Sequence, residues 1–134
     1  MSQVFARTPR PTSSPWGQVD QAEEAAPGIW SVCTPGHGGY LISTERRLAM
    51  PAHLKEVYTY AGGNAFEEDC DWCIVALAYP DAFPPAAQEH ARRMLYTFDH
   101  EPRDEHERRP YYVSMRRAAQ AEKVRANQLE MFAA

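Results

Sequence analysis

The chain has 134 residues, 44% of them hydrophobic and 24% charged, enough for one core and too few for two independent ones. Eleven prolines argue against a plain helical bundle, and a formal charge of −4 does not favour sequence-independent binding to nucleic acid. The start, MSQVFARTPRPTSSPW, is polar and proline-rich, and no run approaches the ~20 apolar residues of a membrane span; a cytoplasmic protein with reduced thiols and no membrane partner is expected.

Residues 1–15 have little to bury and read as a flexible arm. Gln18 to Ala26 (QVDQAEEAA) reads as weakly helical or irregular, and Pro27-Gly28 as a turn. Ile29 to Thr34 (IWSVCT) is rich in β-branched and aromatic residues, with Ile29, Ser31 and Cys33 on one face and Trp30, Val32 and Thr34 on the other. PGHGG cannot continue a strand, and Tyr40 to Ser43 resumes in extended form, so 29–43 is predicted to be a β-hairpin. Ser43 then offers a hydroxyl cap to a short helix, and Pro51 suits the first position of another. Val57 to Tyr60 reads as a brief strand.

From Phe66 to Tyr79, residues Phe66, Cys70, Cys73, Ile74 and Leu77 form an apolar stripe at helical spacing. Glu67, Glu68 and Asp69 would then occupy the first turn, where they complement the helix dipole. A second helix is predicted over Ala86 to Phe98, followed by an exposed charge run, His100 to Arg109. Tyr111 to Met131 has helix-forming composition and only a thin apolar stripe, which suits a peripheral or partner-binding helix. Charge is uneven along the chain. Residues 1–91 carry five Lys/Arg against eleven Asp/Glu (−6), and residues 92–134 carry nine against seven (+2).

Three chemistries compete for the polar residues. Cys33, His37, Cys70 and Cys73 are four nitrogen and sulfur donors in two pairs, as a zinc ribbon would need, but buried cysteines and a turn histidine explain them as well. Cys70 facing His37, with Glu67 near by, would make a thiol hydrolase; the crowd of carboxylates opposes that thiolate. Arg108, Arg109, Tyr111, Tyr112, Arg116 and Arg117 are of the types enriched where proteins dock, and the same arginines could touch phosphates.

The blocks WSVCTPGHGGYLIS, ERRLAMP and FEEDCDWCIVALAYPDAF together resemble a family of domains of unknown function from bacterial plasmids, prophages and integrative elements. The resemblance spans about Trp16 to Phe98. It rests on Thr34 to Gly39, on Ser43, Glu45, Arg46 and Pro51, and on Phe66 to Trp72. Cys33 and Cys73 lie outside its pattern, which leaves His37, Glu67, Glu68, Asp69 and Cys70 for any shared chemistry. It implies a protein of mobile elements, a setting in which small inhibitors of host defence, of anti-CRISPR or antirestriction type, are common.

The expected fold is α+β. A small antiparallel sheet around the 29–43 hairpin packs on a central helix (66–79), with a second helix and a peripheral C-terminal helix; 16–100 forms the body and 101–134 the charged loop and tail. The expected function is non-enzymatic binding to a host protein or nucleoprotein complex, with no cofactor. The alternatives are the Cys70–His37 enzyme or zinc protein, and a DNA-binding accessory protein using the C-terminal helix.

Overall fold

A computed structural model describes residues 4–59 and 61–133. Strands β1 (Ser13–Ser14) and β2 (Gly17–Gln18) form a minimal ribbon. Strands β3 (Gln21–Ala26), β4 (Ile29–Cys33) and β5 (Gly38–Ile42) then run antiparallel in order. Two short helices follow, α1 (Thr44–Ala49) and α2 (Ala52–Lys55). Strand β6 (Ala65–Glu67) completes the sheet in the order β3-β4-β5-β6. Helices α3 (Trp72–Ala78), α4 (Pro85–Tyr96) and α5 (Pro110–Ala133) supply the other layer. The architecture is α+β, a sheet carrying helices on one face. No helix among the described residues is long and apolar enough to cross a membrane.

The hairpin forms as expected, with Ile29 opposite Ile42 and Cys33 opposite Gly38. Alternation then sorts the faces. Ile29, Tyr40, Ile42 and Phe66 point toward the helices and join Ile74, Leu77, Leu95 and Met115 in one apolar cluster. The opposite face meets residues from the expected arm: the Trp30 indole donates to Thr8 Oγ1 at 3.0 Å, and the Trp16 ring lies over Gly39. A Cβ on Gly39 would collide with the Phe66 carbonyl and stand 2.7 Å from that ring, so only glycine permits this approach. Further contacts tie the segment down. Phe5 caps the Arg46 guanidinium at 3.8 Å, the Ala6 N–H donates to Glu45 at 2.9 Å, and Arg7 pairs with Glu24 at 2.7 Å. Residues 1–3 of that arm lie outside the described residues.

Three expectations are corrected. The stretch expected to be weakly helical or irregular, Gln18 to Ala26, is from Gln21 a strand. Glu and Ala favour helices in isolation, but QAEEAA alternates exposed and half-buried residues and completes the ladder beside β4. The helix expected from Phe66 starts only at Trp72: Phe66 pairs with Tyr40 in the sheet, and Glu67 Oε1 accepts the N–H groups of Asp69 (2.8 Å) and Cys70 (3.1 Å). Those acids therefore shape a strand-to-helix turn and do not occupy a helix's first turn. Third, residues 57–59 form no strand; Tyr60 lies outside the described residues.

Elsewhere the local signals hold. The Ser43 hydroxyl caps α1 by accepting the Arg46 N–H at 3.1 Å, and Pro51 precedes α2. Helix α5 divides at its middle. Met115, Ala118, Ala119 and Glu122 are buried at i, i+3, i+4 and i+7, whereas Val124, Leu129 and Met131 are exposed.

Candidate functional site

His37 sits exposed at the hairpin loop, which Thr34 closes by donating its hydroxyl to the His37 carbonyl at 2.7 Å and accepting the His37 N–H at 3.1 Å. Cys33 is exposed at the end of β4, Cys70 is half-buried in the turn before α3, and Cys73 is fully buried within it. Burial pushes the Cys70 thiol up, and Glu67, Asp71 and Asp69 push it further; burial and Asp71 do the same to Cys73. Cys70 also lies before the helix, not within its first turn. Among the described residues His37 and Cys70 share no hydrogen bond, and no three His, Cys, Asp or Glu side chains gather to hold a metal ion.

The acid-rich turn does have a buried member. Asp71 is fully buried, and its Oδ1 accepts the Tyr111 hydroxyl at 2.8 Å, which ties α3 to the start of α5. Burial, and then the Asp71 charge, raise the Tyr111 hydroxyl far above its ordinary value. Tyr112 packs edge-on to His106 and Tyr111 and tilted against Phe98. The Arg116 Nε donates to the His100 carbonyl at 2.7 Å, and its Nη2 to the Glu107 carbonyl at 3.2 Å. Three of the six residues expected to meet a partner are thus engaged by the body itself. The charge run 100–109, expected to be an exposed loop, carries a helical turn at His106–Arg108 and a buried Glu107. The side chain and backbone N–H of Arg103 hold that carboxyl down to about 2.

The other three, Arg108, Arg109 and Arg117, are exposed, and two of them share a cleft. It has a volume of ≈ 580 Å³ and runs between α2 with its following loop and the N-terminal half of α5. Pro110, Val113 and Ala121 give it an apolar side; Arg108, Arg117, His53 and Glu56 supply charge around it. The Ser114 hydroxyl accepts the Tyr58 N–H at 3.0 Å and so fixes the loop against α5, leaving the Tyr58 side 66% exposed. Arg108 reaches Glu105 only at 3.8 Å, in an exposed pair; Arg117 makes no ion pair among the described residues.

Behind the cleft lies a group that sequence reasoning missed. Glu122 is fully buried, accepting from Arg125 and sitting 2.8 Å from His53 Nε2. Burial alone would raise its pKa, but the hydrogen bonds from Arg125 and His53 outweigh burial and hold the carboxyl below its ordinary value. The signal was present as an acid at the fourth position of the stripe Met115, Ala118, Ala119, Glu122. Its cationic partners could be named only once α2 had been placed beside α5.

A family model described as a domain of unknown function, DUF7007, matches residues 9–128. The chain belongs to that family. Its match runs from the arm through most of α5, so the cleft and the buried Glu122 fall inside the family's domain. Comparison with curated proteins and with solved structures returned no match.

Proposed function

We propose that this DUF7007 protein is a non-enzymatic binding protein that docks on an acidic surface of a larger partner through the cleft between α2 and α5. One observation carries the reading: Arg108 and Arg117, exposed and without close ion pairs among the described residues, stand at a cleft with an apolar wall and an exposed tyrosine. Arginine and tyrosine are the types whose burial dominates protein–protein affinity. The thiol that an enzymatic reading needs, Cys70, is half-buried and disfavoured as a thiolate, which supports binding over covalent catalysis.

In its finer form the proposal names the partner as a component of a host defence system, a nuclease or CRISPR complex, and the chain as a mobile-element inhibitor. The test is plasmid establishment in cells with an active CRISPR or restriction system. Restored establishment with the native chain, lost in Arg108→Glu/Arg117→Glu, supports this form; unchanged interference, with no defence component co-purifying, overturns it. A DNA-binding reading would use the same arginines. Lys123 and Arg125 are already committed to Asp99 and Glu122, which leaves few cations on α5 for a phosphate track.

A further inference from the structure

The cleft has a chemistry of its own that narrows what can fill it. Its walls carry two arginines against one acid, Glu56, while the chain as a whole is net acidic at −4. The positive spot is therefore local, set on a surface that repels long polyanions and still attracts a short anionic segment. Beside the arginines lies an apolar strip on α5, Pro110, Val113 and Ala121, and α5 places Val113, Arg117 and Ala121 one turn apart along a single face. His53 is held at the rim by the buried Glu122, and Tyr58 by its backbone bond to Ser114, so the two walls are fixed before anything binds.

We propose that this cleft holds a short acidic peptide segment of the partner, with a carboxylate set between Arg108 and Arg117 and a neighbouring bulky apolar side chain laid on Pro110, Val113 and Ala121. The inference rests on the docking function above and specifies its ligand class. A carboxylate satisfies a planar guanidinium in two-pronged geometry, and an apolar neighbour covers a strip that is otherwise wet. A volume of ≈ 580 Å³ accommodates a few side chains and falls in the usual range of built ligand sites. A nucleic-acid strand would instead need a continuous basic track, and the lining of this cleft mixes Glu56 and apolar residues with its two arginines.

The experiment selects a displayed random peptide library on the full chain, then measures the selected peptides by fluorescence anisotropy. The comparison protein is Arg108→Gln/Arg117→Gln, whose fold is checked by an unchanged melting temperature, as both side chains are exposed. Selected sequences should place Asp or Glu beside an aromatic or aliphatic residue. Replacing that acid by its amide, or both arginines by glutamine, should weaken binding at least about tenfold. The proposal is overturned if no sequence is enriched, if the enriched sequences lack acids, if the double variant binds equally well, or if a single-stranded oligonucleotide of mixed sequence displaces the peptides at lower concentration. The two proposals fail separately. A partner captured by the native chain and lost from the double variant, with no acidic peptide selected, would overturn the peptide site and leave docking through the cleft standing; peptides bound as expected, with no defence component inhibited, would overturn the finer form of the proposed function and leave the peptide site standing.

Discussion

Replacing Glu122 by glutamine removes one negative charge from a fully buried site and keeps nearly the same shape. The carboxylate accepts from His53 Nε2 at 2.8 Å and from Arg125 Nε at 3.1 Å, with a further bond from Arg125 Nη2. Hydrogen bonds to a charged group contribute about 1.5–3 kcal/mol each when shielded from water. The Arg125 side chain is 45% exposed and regains water on losing its partner, so its share shrinks; His53, at 19%, regains less. The expected net loss for Glu122→Gln at pH 7 is about 2 kcal/mol. For a chain of this size that lowers the melting temperature by roughly 6–10 °C.

The pH dependence gives a second, independent check. The Glu122 carboxyl is held below its ordinary value of 4.5, so its contribution is complete above that value and is lost as pH falls through the lowered one. Glutamine takes up no proton. Thermal unfolding followed by circular dichroism should therefore show a gap between the two proteins that closes as pH falls below 4.5. Glu107, also held low, titrates in both proteins and cancels from the difference. Equal melting temperatures at pH 7, or a gap that widens below pH 4.5, would refute the reasoning.

Other outcomes follow from the same structure. Gly39→Ala drives a methyl group into the Phe66 carbonyl and the Trp16 ring and should cost about 2 kcal/mol or more in chemical denaturation, whereas Gly36→Ala meets open space and should change stability little. Tyr111→Phe takes a hydroxyl donor from the buried Asp71 and should cost about 1–2 kcal/mol; an unchanged denaturation midpoint would contradict that bond. Alkylation at neutral pH, followed by mass spectrometry, should label exposed Cys33 first and Cys70 at least about tenfold more slowly, with Cys73 reached only on unfolding. A Cys70 that reacts fastest would revive the enzymatic reading.

Much of the local structure was legible residue by residue. The β-branched and aromatic run Ile29–Thr34, the glycine-rich reversal and Tyr40–Ile42 specify a hairpin because each element of the pattern favours the same geometry. The Ser43 cap, Pro51 and the apolar spacing of α4 are equally local. Two strands of the four-stranded sheet were illegible for a physical reason. QAEEAA prefers a helix until an adjacent strand offers it a ladder, and the three residues Ala65–Glu67 are too short for any periodicity to show. Phe66 fell at a helical interval from Cys70 and Ile74 by coincidence, because a strand and a helix joined by a tight turn can both bury one side of the same stretch.

The sequence by itself determined the α+β class, the hairpin, the long C-terminal helix and the concentration of cations after residue 91. Only the tertiary structure decided which cations are spent. Arg116 is turned into the loop it fastens, Arg125 into Glu122, and Arg46 between two aromatic rings, while Arg108 and Arg117 are left facing a common cleft. A guanidinium's role depends on what lies within a few ångströms of its tip, and residues 53, 58, 108 and 117 become neighbours only after the sheet has set α2 beside α5.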